Sequence, residues 1–281
     1  MVSITEYAYE LCERHPVDGF ESIQRVPMDD TRLLSDMICI CNKHFTSKPD
    51  IVYIAHSIPF AKGRVGEKLS KMLDAPVLWL SGLPCSITHM AIKIATAQIR
   101  TNKHQRILVF GADKAYSNRE RRFFGTIMGD AVVGMMLEDG EGLHEVVATR
   151  LDTVLIASEG ENSQVDAIQK YRDTLPFFLR DAYKQCLSES GLEAVNYIAP
   201  HTPNRGVWDV FARLTSFERD SILDENIVQT GHLNSNDSFY HYFTHCENGT
   251  ILPGQTAMLI NPGFGGTRGC TILRRKQNVQ H

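Results

Sequence analysis

The segment PDIVYIAHS, residues 49–57, returns as EAVNYIAPH at 193–201. A second echo follows the first. RILVFGAD (106–113) and GDAVVGMMLE (129–138) are matched by TAMLINPG (256–263) and GCTILRR (269–275), about 150 residues later. A period that long indicates a duplicated half rather than a solenoid of short repeats. The expected architecture is therefore two similar α/β halves, residues 1–145 and 146–281, related by a pseudo-two-fold axis. Ends of equivalent elements then meet at the centre, and residues from both halves share one site.

The intervening sequence agrees with an α/β reading. Helix-like periodicity appears at about 30–44, 64–73, 86–102, 164–190 and 205–215. In TRLLSDMICICNK it places Leu33, Leu34, Met37, Ile38 and Cys41 on one face. Gly191 is a stop signal for the long fourth run, and Pro176 inside that run predicts a kink. Strand-like runs are IVYIAHS, VLWLS, ILVFGAD, AVVGMMLE, VNYIAPH, NIVQT, AMLINPG and CTILRR. Several are apolar on consecutive residues, the pattern of strands covered on both faces.

Composition excludes some classes. The 281-residue chain is 43% hydrophobic and 22% charged, as in ordinary globular proteins, and its net charge of −4 gives no footprint for nucleic acid or an anionic membrane. The N-terminus lacks the basic-then-apolar order of a secretory signal, and no apolar run reaches membrane-spanning length. Seven cysteines (Cys12, Cys39, Cys41, Cys85, Cys186, Cys246 and Cys270) form no CxxC pair. An odd count without framework spacing fits a reducing, cytoplasmic setting, where one thiol is free to react.

Reactive residues gather at strand ends. Cys85, in GLPCSITHM, ends a strand and opens a helix, where backbone N–H groups and the helix dipole favour thiolate. Pro84 holds Leu83 extended, which suits a sharp corner. His201 lies in PHTPNRG and His232 in GHLNSND. The glycine turn of GFGGTRG, with Gly265 and Gly266, separates the last two strands and, with the Cys85 N–H, offers donors for an oxyanion. Asp237, five residues after His232, is either a helix cap or the orienter of that imidazole. His89 shares a helical face with Cys85 and is expected to pack locally. His241 and His245 are spaced i,i+4 but lack the Glu of a zinc-protease helix, and no metal motif is present.

Six segments resemble the β-ketoacyl-[acyl-carrier-protein] synthase III family, in that family's order, from about residue 26 onward. They are RVPMDDTRLLSDM, LPCSITHMAI, RFFGTIMGDAVVG, YIAPHTPNRG, GHLNSND and PGQTAMLINPGFGGTRGCTILRR. The resemblance implies a thiolase fold of five αβαβα layers, a Cys85 nucleophile and a catalytic His201. It also implies substrate contacts from Arg122, near a coenzyme A adenine, and from Asn204, near the pantetheine. Acyl-coenzyme A or an acyl carrier protein is the implied partner, with no resident metal or organic cofactor and a homodimeric assembly.

The family's third residue is Asn, and here His232 takes that place. A Cys-His-His set resembles the elongating ketosynthases, in which two imidazoles hold an enolate formed by decarboxylation. A Cys85-His232-Asp237 set resembles offshoots of the family that pass acyl groups to oxygen. The N-terminus reads as lacking the family's first strand-and-turn, and residues 139–163 read as compressed. The leading expectation is decarboxylative condensation of an acyl-Cys85 with a malonyl-type thioester. The alternatives are transfer to an alcohol or amine, and a silent subunit of a heterodimer.

Overall fold

The structure is a computed structural model. It describes residues 1–11, 14–17, 20–24, 30–57, 64–115, 121–123, 126–157, 159, 162–203 and 205–277. Cys12 and Asn204 fall outside the described residues.

In chain order the strands and helices are β1 (Val2–Leu11), β2 (Arg14–Val17), β3 (Phe20–Gln24), α1 (Asp30–His44), β4 (Ile51–Ala55), α2 (Val65–Leu73), β5 (Val77–Leu80), α3 (Ile87–Arg100), β6 (Arg106–Asp113) and β7 (Arg122–Phe123). They continue with β8 (Thr126–Ile127), β9 (Ala131–Asp139), β10 (His144–Thr153), α4 (Val165–Ser190), β11 (Tyr197–Pro200), α5 (Gly206–Thr215), α6 (Ile227–Thr230), α7 (Asp237–Glu247), β12 (Thr256–Gly263) and β13 (Thr267–Arg275).

The echo in the sequence is an echo in the topology. The large sheet runs β11-β12-β13-β10-β1-β9-β6-β4-β5. On one side β4 lies parallel to β6, β6 antiparallel to β9, and β9 antiparallel to β1. On the other, β11 lies parallel to β12, β12 antiparallel to β13, and β13 antiparallel to β10. Even the edge strand β5, parallel to β4, has a remnant counterpart in the parallel bridge of Ile198 to Ile222. The two runs touch through a short β1–β10 seam, Ser3 to Glu145 and Ile4 to His144.

Alternation along the strands sorts the core into three zones, which define five layers. On β4, Val52 and Ile54 face α1 and α2, while Ile51, Tyr53 and Ala55 face inward. On β12, Met258 and Ile260 face α4 and α5, while Ala257 and Leu259 face inward. The inner zone holds α3 and α7, so both helices are buried nearly all round, and α7 carries polar side chains such as Asp237, His241 and His245 into it along with its aromatics. Their N-terminal ends carry Cys85 and His232 to the centre.

Two expectations change. The resemblance implied a missing first strand, but Val2–Leu11 forms that strand at the middle of the sheet, between β9 and β10. Its polar residues leave no clean alternation to read. NIVQT, expected as a strand, contains the helical turn α6, with the Gln229 and Thr230 N–H groups donating to the Asn226 carbonyl. A short β-branched run does not distinguish the two by periodicity. Pro176 lies within α4 without ending it.

Buried histidines make this core acid-sensitive. Burial lowers the pKa of His89 to about 4, of His144 to about 3 and of His241 to about 4. Each is neutral in the fold, whereas the unfolded chain takes up the proton near pH 6.5. The stability they favour is therefore whole above about pH 6.5 and drains as pH falls toward the folded values. The slope is up to about 1.4 kcal/mol per pH unit per histidine. We expect the urea midpoint to fall steeply between pH 6.5 and 5; a flat profile there would show that these imidazoles are not buried neutral.

Candidate active site

Cys85 sits on a corner with φ 56°, in the left-handed region that a Cβ disfavours. Strain of that kind persists where surrounding structure fixes it, and here the restraints are visible. The Ser57 hydroxyl accepts the Cys85 N–H at 3.0 Å. The Ser86 hydroxyl donates to the Asn261 carbonyl at 2.7 Å, tying the start of α3 to β12. The Thr267 hydroxyl reaches the Pro84 carbonyl at 3.3 Å.

The two histidines arrive from the other half. The His201 N–H donates to the Ile260 carbonyl, and its own carbonyl accepts the Trp208 indole N–H at 2.8 Å. The His232 N–H donates to the Ile127 carbonyl, and its carbonyl accepts the Gly129 N–H. With the backbones pinned, the rings lie 4.5 Å apart, edge to face. His232 Nε2 is 4.0 Å from Cys85 Sγ, and donor atoms of Cys85, His201 and His232 all lie within 4.8 Å of one another.

Asp237 orients His232. Its Oδ2 is 2.6 Å from His232 Nδ1, which fixes the proton on Nδ1 and turns the Nε2 lone pair toward Cys85. The carboxylate also accepts the Leu233 N–H at 2.6 Å and the Thr202 N–H at 2.9 Å. Burial opposes its ionisation, but the charge and hydrogen bond of His232 prevail and hold its pKa at about 2.

The sulfur is in the opposite situation. Burial pushes the Cys85 thiol well above its usual range, the charges of Asp113 and Asp237 push it further, and only a hydrogen bond from the Phe264 N–H works against them. The expected resting thiolate is thus replaced by a resting thiol. Cys85 also precedes the first turn of α3 by two residues, so burial and the charges of Asp113 and Asp237 outweigh the dipole. His201 is neutral: burial, then His232, lowers its pKa to about 3. Neither of its ring nitrogens has a hydrogen-bond partner.

The glycine turn differs in detail from expectation. The Gly266 N–H donates to the Gly263 carbonyl, and the Cys85 N–H is held by Ser57, so the backbone donor facing Sγ is that of Phe264. Gly265 (φ 108°) and Gly266 (φ 114°) turn the chain back immediately after it. Tyr171 of α4 braces the turn, its hydroxyl donating to the Gly263 carbonyl at 3.2 Å. A Cβ on Gly263 would stand 2.0 Å from the Pro84 carbonyl oxygen. Gly263→Ala should therefore push the turn off the Cys85 corner and lower kcat by at least about 100-fold, the usual loss for one oxyanion donor. Unchanged steady-state turnover in this variant would show that the turn takes no part.

A carboxylate that the sequence did not single out links both halves of the site. Asp113, at the end of β6, accepts the Ser57 N–H at 2.6 Å and the Ser235 hydroxyl at 2.6 Å. Ser57 holds the Cys85 corner, and Ser235 belongs to the Asn234–Asn236 turn after His232. Its signal was its place: ILVFGAD ends on it, as IVYIAHS ends on Ser57. Arg122 is exposed on β7, while its neighbour Arg121 is buried in a two-pronged pair with Asp130. His241 meets Thr202, and His245 meets Glu225, so the i,i+4 pair is divided between two partners.

No family model and no curated protein matches the sequence. Solved structures do match the fold. The acyltransferase ChlB3 superposes with a TM-score of 0.82 at 16% identity, covering 98% of each chain. A 3-oxoacyl-[acyl-carrier-protein] synthase III from Aquifex aeolicus superposes at 0.78 and 16% identity, covering 98% of this chain and all of that one. OleA from Xanthomonas campestris, determined with lauric acid and lauroyl-CoA, superposes at 0.77 and 10% identity, covering 97% and 98%. The chain has the thiolase fold, with two similar halves in five layers.

Proposed function

We propose that the protein is an acyltransferase that takes an acyl group from a thioester onto Cys85 and passes it to an alcohol or amine. The observation that carries this reading is the buried relay of Cys85 Sγ, His232 and Asp237, with 4.0 Å and 2.6 Å between successive partners. It is the nucleophile–base–orienter geometry of covalent acyl transfer. At 4.0 Å the sulfur–nitrogen contact is long, as such bonds are before substrate tightens them.

His232 Nε2 takes the thiol proton as Sγ attacks the thioester carbonyl. The Phe264 N–H faces the developing oxyanion. The donor's carbon–sulfur bond breaks, and its thiol leaves with the proton from His232. The acceptor's O–H or N–H then gives its proton to His232 as it attacks the acyl carbon. The carbon–Sγ bond breaks, and Cys85 recovers the proton. Because the resting sulfur is a thiol, the base is needed in both steps.

Coenzyme A or a carrier-protein pantetheine is the donor in this reading, with Arg122 and Asn204 as the residues to test against it. A homodimer is the assembly proposed. The acyltransferase neighbour supports transfer as the outcome.

Decarboxylative condensation is the second reading, and His201 favours it. Its neutral ring, with both nitrogens unpartnered beside His232, suits a donor to the carbonyl oxygen of a malonyl thioester. Intact mass after exposure to short acyl-coenzyme A tests the shared step: one acyl adduct on Cys85 is expected. Addition of a malonyl thioester then separates the readings. No carbon dioxide is expected for transfer, and its stoichiometric release would move the assignment to condensation.

A further inference from the structure

We propose that Cys85, His201 and His232 form a three-ligand site for a borderline-soft divalent cation, Zn²⁺ above all, and that metal and acyl thioester compete for it. The spacing between motifs gives no hint of such a site, because its ligands come together only through the pseudo-symmetry of the fold. The metal-binding part stands apart from the acyl-transfer reading; the competition rests on it.

The donor set is one that zinc selects: one sulfur and two imidazoles, with a fourth position open to water. All three residues are buried, and their donor atoms lie within 4.8 Å of one another. Zinc at about 2.3 Å from sulfur and about 2.0–2.1 Å from nitrogen would hold tetrahedral donors roughly 3.3–3.6 Å apart. An inward shift of roughly an ångström closes the set.

Three further features favour a cation here. His201 is 95% buried, its exposure being 5%, and neither of its ring nitrogens is bonded to anything. A metal gives one of them the partner that the protein does not. His232 already has the outer support of a metal-ligating histidine, a carboxylate on Nδ1 at 2.6 Å that leaves Nε2 as the ligand. Finally, two buried carboxylates flank the set, Asp237 on His232 Nδ1 and Asp113 on the Ser57 whose hydroxyl holds the Cys85 N–H, and together they make a negative field. The same negative field draws in a dication, which offsets it.

Binding balances simply. The zinc–sulfur bond forms as the S–H bond breaks, the proton leaves to solvent, and zinc exchanges waters for two imidazoles. While the metal is held, the charge of Sγ is drawn onto zinc, which weakens it as a nucleophile, and His232 Nε2 is occupied and cannot act as the base. The site would then be switched off reversibly, with the thiol protected from oxidation.

The test uses the full chain, reduced and freed of metal with a chelator. Co²⁺ serves as the spectroscopic probe. Titration should raise a thiolate-to-cobalt charge-transfer band and the strong visible bands of a four-coordinate ion, and Zn²⁺ should abolish both. Cys85→Ser should lose the charge-transfer band. His201→Gln should weaken zinc, read by competition with a chromophoric chelator, by more than about 100-fold, beyond the 10–100-fold typical of an outer-shell loss. Zinc should also slow alkylation of Cys85 in the unaltered chain, mapped by mass, by at least tenfold.

Absence of the band, its survival in Cys85→Ser, or alkylation indifferent to zinc would each overturn the site. A zinc-bound protein that still acquires an acyl-Cys85 adduct at full rate would overturn the competition. Failure to acylate without metal counts against acyl transfer alone, and the cobalt titration then decides the metal site by itself.

Discussion

Cys85→Ala should abolish the acyl adduct and lower turnover by about six orders of magnitude, the loss seen when the nucleophile of a comparable relay is removed. The reasoning starts from position. Cys85 is 7% exposed and lies at a corner with φ 56°, which only a fixed environment sustains. Six described cysteines are free, but Cys41 and Cys246 are raised to about 12 by burial, and neither belongs to the Cys85–His201–His232 cluster. Of the six, Cys85 has an imidazole lone pair and a backbone N–H directed at its sulfur. Alanine removes the sulfur and leaves a cavity of one atom beside α3, so the thermal midpoint should move little. The decisive measurement is intact mass with acyl-coenzyme A. An adduct of the same mass in Cys85→Ala would place the chemistry elsewhere. A variant that unfolds would show as a lost midpoint and direct the test to Cys85→Ser, whose smaller change keeps a polar atom at the corner.

The order of the site was written in the sequence wherever repetition placed residues. Cys85 and His201 were legible because strand ends in a duplicated α/β fold converge; His232 joins them within 4.8 Å, although the segment before it is the helical turn α6 and not the expected strand. What depended on turn geometry was not legible. GFGG names four residues, but which of their N–H groups faces sulfur, that of Phe264, is set by how the turn packs on the Cys85 corner and not by the composition of the turn. The ionisation of Cys85 was misread for a related reason. A helix start is a local feature, whereas the burial that raises the thiol arrives through packing, and so do the opposing carboxylates, Asp113 from β6 and Asp237 from α7. Strand β1 was missed because VSITEYAYEL mixes burial along its length and shows neither alternation nor a continuous apolar run.

Asp237→Asn should lower turnover by about four orders of magnitude if His232 is the base, as the same exchange does in a comparable triad. The carboxylate contacts His232 Nδ1 at 2.6 Å and is ionised, with its pKa held at about 2 by the adjoining imidazole. It thereby sets the tautomer and stabilises the imidazolium formed when the thiol proton moves. Asparagine has one acceptor oxygen, whereas Asp237 accepts from His232, Leu233 and Thr202. The amide must then turn its NH₂ toward a donor, or toward Nδ1, and force the proton onto Nε2. In that tautomer the nitrogen facing Cys85 is a donor and cannot take the thiol proton. A helix-capping role would give a different result, because Asn caps nearly as well as Asp and activity would survive. His201→Ala completes the argument. In acyl transfer it should leave acyl-Cys85 formation within about tenfold, since the base, its orienter and the Phe264 donor are untouched. In condensation it should end carbon dioxide release, since one of two donors to the enolate oxygen is gone. The two variants are to be assayed for adduct formation and for turnover at matched folded fractions. Asp237→Asn crippled with His201→Ala still acylated is the transfer pattern. Asp237→Asn active with His201→Ala dead would assign Asp237 to structure and the chemistry to condensation.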